Sequence, residues 1–437
     1  MLKPVYYNTA EGKNRVESLI NRQFEISPQH ETRVKEILEQ VRSKGDQAVV
    51  QYTRQYDAPD FEIKDLAVSQ QELKAAYSKV DNDFLSSLKK AISNIEEFHM
   101  HQRPKSWIMT REDGAILGQM IRPVDAAGLY VPGGKGGETP LVSSVLMNAI
   151  PAKIAGVKRI VITTPPDKHG AVNPHLLVAV SEVGVREIYK IGSAWAIGAL
   201  AFGTETVAPV DVVVGPGNVY VTLAKKMIAG IVGIDMVAGP SEILIIADEG
   251  APSKFVAADL LSQAEHDPMA TAMLITTSTM LAEEVPVELK RQIEKLERQE
   301  TATESLKTNG LLLKVDDLET ATEIANRIGP EHLELLVSDP WGLLPKIRHA
   351  GAIFMGNATP EPIGDYIAGS NHVLPTMGTA RFSSALGVET FLKHSSVISY
   401  SREAFQKDAD DVIRLAEIEG LTAHARSIRV RQGRNSR

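Results

Sequence analysis

Cysteine is absent from the 437 residues. No disulfide framework can form, and any metal site must use nitrogen and oxygen donors. Long apolar runs are also missing, since no stretch approaches the roughly 18 apolar residues of a membrane span. The opening segment MLKPVYYNTAEGKNRVESLI lacks a basic start followed by an apolar core. No secretory signal is read there, and the expected location is cytoplasmic. Positive charge is not in excess: the net charge is -8 and the pI about 5.8. That argues against a general binder of nucleic-acid backbone. No G-x-G-x-x-G follows an apolar run, so the usual dinucleotide fingerprint is missing too. Neither short-period repeats nor low-complexity segments are found.

What is present is the balance of a folded protein, 43% hydrophobic and 23% charged. The chain is too long for one ordinary core, so two or more lobes are expected. The first hundred residues read as helical, with apolar spacings of three and four over 33–52 and 81–100 and a break near Lys44-Gly45-Asp46. Residues 116–130 read as extended. Two runs of short apolar strands alternating with helices follow, at about 130–240 and 241–356. Such runs are the pattern of buried parallel strands. In the second, a long charged helix is expected over 281–298. A glycine-rich loop spans 355–380, and the tail from about 387 reads as helical and polar. The expected fold is α/β: two Rossmann-like lobes with parallel sheets, a helical N-terminal segment and an extended C-terminal tail.

Four strings carry chemistry. SQAEHDP (262–268) puts Gln263 and His266 three apart near a helix end, so that an amide oxygen and an imidazole can share one face. GPEHLEL (329–335) places Glu331 beside His332 at a strand entry, two titratable groups suited to acid/base work near neutral pH. GDYIAGSNHVLPT (364–376) carries Asp365 and His372 among glycines, and EIEGLTAHARS (417–427) carries Glu419 and His424. Two glycine turns, PGGKGG and GPGN, each follow a strand and precede a helix, where backbone N–H groups can hold a phosphate. Each string alone is more simply a solvated segment or a tight connection. Their combination is specific.

Together with LYVPGG (129–134), LAFGTETV (200–207), GPGN (215–218), DMVAGPSEILIIAD (235–248) and TARFSSAL (379–386), these strings resemble the histidinol dehydrogenase family over essentially the whole chain. The resemblance implies oxidation of L-histidinol to L-histidine through a bound aldehyde, with two NAD consumed and one zinc per subunit. It implies zinc ligands at Gln263, His266, Asp365 and His424, an N/O set that suits a cysteine-free chain. It assigns His332 and Glu331 to proton transfer. Substrate contacts fall on Ser241, Gln263, His266, His332, Asp365, His372, Glu419 and His424. Cofactor contacts fall on Tyr130, Asn218 and position 195. A homodimer with shared active sites is implied, the tail bringing Glu419 and His424 to the other subunit. On this reading 1–23 is a helical arm and 24–128 with 242–386 is the lobe of metal and acid/base residues. Residues 129–241 form the cofactor lobe, and 387–437 a dimerisation tail. Neither nucleic acid nor membrane is an expected partner.

The chain departs from the family pattern at Trp195, where a glutamine usually contacts the dinucleotide. An indole offers one donor and a large apolar face, which would stack on the cofactor or partly occlude it. The PGGKGG turn is also longer than in many relatives, and its Lys135 can reach a phosphate or simply face solvent. Two rival readings remain at this point. One is a relative acting on another alcohol, such as a sulfonated diol; retention of Ser241, His372 and Glu419 weighs against it. The other is a zinc protein without redox activity or a zinc hydrolase, supported by Trp195 and the missing fingerprint.

Overall fold

In the computed structural model, residues 2–22, 27–134 and 139–433 are described, and Lys135 lies outside them. Three strands fall in the first 123 residues: β1 (Pro4–Tyr6), β2 (Trp107–Thr110) and β3 (Ile116–Pro123). The first alternating run supplies β4 (Ala126–Tyr130), β5 (Arg159–Thr164), β6 (Glu187–Lys190), β7 (Val212–Val214) and β8 (Gly233–Ile234). The second supplies β9 (Glu242–Ala247), β10 (Thr271–Thr276), β11 (Leu311–Lys314), β12 (His332–Leu336) and β13 (Ala352–Met355), and β14 (Leu392–Ser399) comes last.

Two of the sheets are wholly parallel. One has the order β6-β5-β4-β7-β8 and the other β1-β11-β10-β9-β12-β13. Leaving β1 aside, both runs adopt the same order: third, second, first, fourth, fifth. Every residue of β4, β9, β10 and β12 is buried, as strands covered on both faces must be. A third sheet, β14-β3-β2, is antiparallel. The chain divides into two compact units, Met1–Gln102 with Val124–Phe391, and Arg103–Pro123 with Leu392–Arg437.

Several expectations are corrected. The segment 116–130 is not one extended element: β3 and β4 flank Val124 and Asp125 and belong to different units. The tail is not all helical. Its LKHSSVIS forms β14, which pairs along the whole of β3. Polar and mostly exposed, β14 carries no apolar alternation to announce it. The N-terminal arm is likewise not purely helical, because β1 adds to the edge of a sheet beside β11. The long charged helix expected over 281–298 ends earlier, at Ile293, and a separate helix, Gln299–Thr308, follows it. Helix Asn82–Met100 meets the loop that follows the second run, Asn94 Nδ2 donating to the Ile367 carbonyl at 2.6 Å, whereas helix Pro28–Lys44 meets the first run. Val34, Ile37, Leu38 and Val41 of helix Pro28–Lys44 share one core with Ile197, Leu200, Val221 and Leu223 of the first run. Apolar spacing reveals that a helix has a buried face; it does not reveal which sheet that face meets.

The GPGN turn shows how one strand end is held. Gly215 has φ 118°, and a Cβ there would lie 2.1 Å from the Tyr130 carbonyl oxygen. Only glycine tolerates both conditions. Its N–H donates to Asp235 Oδ2 at 2.8 Å, and its carbonyl accepts from Lys225 Nζ at 2.8 Å. Lys225 and Asp235 are themselves ion-paired, with almost no side-chain exposure. Removing one member of such a pair strands a buried charge. Lys225→Met is therefore expected to lower unfolding free energy by about 3–5 kcal/mol, read from the urea midpoint. K225M/D235N should recover part of that loss, and a K225M midpoint equal to wild type would show that the clamp contributes nothing.

Candidate active site

Two strands of the second run supply the centre of the site. β12 begins at His332, directly after Glu331, and β9 begins at Glu242 beside it in register, His332 pairing with Ile243. The peptide N–H of Glu242 donates to Glu331 Oε2 at 2.8 Å, and its carbonyl meets His332 Nδ1 at 2.9 Å. A carbonyl only accepts, so Nδ1 carries the hydrogen and Nε2 of the neutral ring keeps its lone pair. Burial holds the His332 pKa below its ordinary value, favouring that neutral ring. Nε2 is buried without a hydrogen-bond partner among the described residues and lies 3.9 Å from Asp365 Oδ1. Burial pushes Glu331 well above the usual carboxylate range, and the charges of Glu242, Asp365 and Glu361 push it further. The dyad is thus an imidazole with an open acceptor beside a carboxyl that holds its proton more tightly than an exposed one does.

Glu242 is itself tied down. Its carboxylate receives Arg22 in a two-pronged contact, Nε at 2.6 Å and Nη2 at 2.7 Å. Glu334 lies on the same face of β12 as His332, two residues on. Its Oε1 accepts the N–H of Glu361 at 2.8 Å and so anchors the start of helix Glu361–Tyr366, which carries Asp365. Gly364 in that helix lets it approach Phe354, where a Cβ would fall 2.6 Å from the ring. His332, Glu361 and Asp365 thereby present ligand atoms within 4.8 Å of one another.

Gln263 is buried near the end of helix Ser253–Ala264, and its Oε1 has no partner among the described residues. His266 follows the helix end and is close enough for its charge to bear on both His332 and His372. The ring of His372 is pushed down to about 4 by burial, and its Nε2 also lacks a partner. Asp365 is pushed up to about 8 by burial and then by Glu361. These donors suit a divalent cation: an orphaned amide oxygen, neutral imidazoles, and carboxyls raised by mutual repulsion that a positive charge would relieve. Ser241 immediately precedes β9, where its carbonyl accepts from Thr271 N. Glu419 and His424 belong to the other unit, at the end of helix Arg402–Ile418 and within helix Thr422–Arg431, and both are exposed there.

The motif reading missed Glu361, Glu334, Asp259 and Glu242. Burial, then Asp259, pushes Glu334 up to about 9, and burial pushes Asp259 up to about 6. Two signals were present: Glu361 stands four before Asp365 and Glu334 two after His332. No spacing marks Asp259 or Glu242.

On the first run, Tyr130 ends β4 and its buried hydroxyl accepts from Ser193 N at 3.2 Å. Asn218 caps helix Val219–Ile228, its Oδ1 accepting from Tyr220 and Val221, so its amide N–H groups are what it can offer a ligand. The two residues stand at the carboxyl ends of β4 and β7, where the strand order reverses and where ligands of such sheets bind. The expectation for Trp195 is corrected. The indole is only 4% exposed, stacks with Tyr52 and Tyr56 at 5.7 and 5.6 Å, and gives its one N–H to Thr53 Oγ1. It packs into the core with helix Asp46–Tyr56 because a large apolar ring gains more by burial than by facing the crevice.

No helix among the described residues is long and apolar enough to cross a membrane. A family model described as histidinol dehydrogenase matches residues 20–432. A histidinol dehydrogenase of Desulfotalea psychrophila is 56% identical over 432 residues, 99% of each chain. One from Oleidesulfovibrio alaskensis is 55% identical over 398 residues, 91% of this chain and 92% of that one. The crystal structure of histidinol dehydrogenase from Elizabethkingia anophelis superposes with a TM-score of 0.92 at 35% identity, covering 99% of this chain and 98% of its own. With the Glu331–His332 dyad, the neighbouring donors and these likenesses running through both alternating runs, the chain belongs to the histidinol dehydrogenase family.

Proposed function

We propose that the protein oxidises L-histidinol to L-histidine in two NAD-linked steps, as a zinc-containing homodimer. The observation that carries this reading is the orientation of His332: its Nδ1–H is committed to the Glu242 carbonyl, leaving Nε2 open beside Asp365. Gln263, His266, Asp365 and His424 would hold the zinc. When bound, zinc supplies a Lewis acid that orients the substrate's nitrogens, and NAD supplies the hydride acceptor.

The chain's own groups move the protons. His332 Nε2 takes the hydroxyl proton as hydride leaves the alcohol carbon, giving the aldehyde. Glu331 takes a proton from water as the oxygen attacks that aldehyde, and His332 returns its proton to the aldehyde oxygen, which gives the hydrate and leaves the imidazole neutral again. The hydrate then loses its second hydride while His332 again takes a hydroxyl proton. Ser241 and His372 position the substrate, and Glu419 and His424 are supplied by the other subunit. The grounds for a non-redox zinc protein weaken, because Trp195 is turned into the core and does not occlude the crevice.

Glu331→Gln should slow aldehyde turnover by about 10²–10⁴-fold while alcohol oxidation falls much less; equal losses in single-turnover assays of the two substrates would refute this division of labour. His424→Asn should lower zinc per chain, measured by elemental analysis, with an unchanged circular dichroism spectrum. Mixing H332N and H424N subunits should restore roughly a quarter of wild-type activity, since half of randomly exchanged C2 dimers carry one intact site. No recovery after proven exchange would place each site within one chain.

A further inference from the structure

One carboxylate, packed against the first run from the N-terminal helices, has no part in the proton chemistry. Asp57 follows helix Asp46–Tyr56, and its Oδ2 is shielded from solvent with no hydrogen-bond partner among the described residues. Burial alone pushes this group up to about 7. A buried acceptor without a donor is destabilising, and structures that keep one usually keep it for a ligand or a water.

Its position selects between those uses. A Cβ on Gly192 would lie 2.7 Å from Pro165 Cβ and 3.5 Å from Asp57 Oδ2. Pro165 directly follows β5, and Gly192 lies between β6 and helix Ser193–Phe202. Asp57 therefore stands over the carboxyl ends of β5 and β6, and its charge bears on the Tyr130 phenol at the end of β4. In a sheet of this order the dinucleotide crosses where the order reverses. Its adenosine half lies over the first three strands, and an acidic side chain there accepts from the ribose. That acid is usually met after the second strand, here β5. Asp167 occupies that stretch, but its Oδ1 is used within its own turn by the N–H groups of His169 and Ala171. The guanidinium of Arg33, which could have welcomed an extra phosphate, is engaged by the Tyr56 hydroxyl and Glu36.

We propose that Asp57 accepts the hydroxyl groups of the adenosine ribose of NAD and, by repelling a 2′-phosphate, makes the protein select NAD over NADP. The proposal rests on the NAD-linked reading above. It assigns a specificity role to a residue that no motif singled out.

Calorimetric titration of the full-length protein with NAD, NADP, ADP-ribose and 2′-phospho-ADP-ribose tests it without turnover. Wild type should bind NAD and ADP-ribose at least about tenfold more tightly than their 2′-phosphorylated forms. In Asp57→Asn, NAD affinity should fall about tenfold or more, and the preference should close towards unity, while zinc content and the KM for histidinol stay at wild-type values. Asp57→Ser should show the same loss of preference, which covers the case in which the asparagine variant folds poorly. Wild-type preference retained in both variants, or equal binding of NAD and NADP by wild type, would overturn the assignment. If wild type binds NAD with the preference missing, only the role of Asp57 fails; if it binds neither dinucleotide, the NAD-linked reading fails with it.

Discussion

The site depends on the backbone of a single residue, Glu242. Its N–H holds the Glu331 carboxyl and its C=O fixes the His332 tautomer. Both contacts require β9 and β12 to lie side by side in one register, because a shift of one residue would turn His332 to the other face. The Glu242 side chain is buried and would be costly there unpaired, so Arg22 must reach it from the N-terminal segment. The placement of the Glu331–His332 dyad at one end of a sheet is thereby tied to Arg22, more than two hundred residues away in sequence. Few other placements leave an imidazole neutral, oriented and open at one nitrogen.

The two parallel sheets use one strand order for opposite purposes. In the first run the features suited to a dinucleotide gather at the carboxyl ends of the strands: Tyr130, Gly215, Asn218 and Asp57. In the second run Glu242 and His332 begin their strands, so the reacting groups stand at the amino ends. Carboxyl ends of parallel strands are followed by loops into helix N-termini, which favour phosphates. Amino ends receive the chain from helix C-termini, which favour cations. Helix Leu318–Ile328 delivers the chain to β12 in this way, and helix Ser253–Ala264 ends at Gln263 and His266. The same architecture thus offers an edge for an anionic cofactor and an edge for a metal ion.

Much of this was legible in the sequence, and the gaps have physical causes. Nine of the ten strands of the two runs were readable as short apolar stretches, β4 only as the end of a longer extended segment; the two-residue β8, Gly233–Ile234, carried no such signal. The acid/base pair and three of the four expected ligands lie within two motifs and one loop, all in the same unit, where His332 and Asp365 come within ligand reach of each other. β2 and β14 escaped notice because an exposed antiparallel strand need not carry apolar alternation. Glu334, Asp259 and Glu242 escaped because burial, not spacing, makes them matter: each is an ordinary acid until the fold removes its water. Trp195 was misplaced for the converse reason. Position in a motif suggested a cofactor contact, whereas its size and its single donor suit the pocket made by Tyr52, Thr53 and Tyr56.

Charge supplies the last link. Glu331, Glu334, Glu361, Asp259 and Asp365 crowd a small volume, and four of them are pushed up by loss of solvent. The imidazoles of His332 and His372 are pushed the other way and stay neutral. Such a site repels anions and neutralises itself by binding protons, unless positive charge arrives from elsewhere. A divalent ion meets that need, and would return the carboxyls to their ionised state where they can serve as ligands and bases. Positive charge placed among these groups would relieve their crowding, and nitrogen and oxygen are the donors that a chain without thiolates has to offer a metal ion.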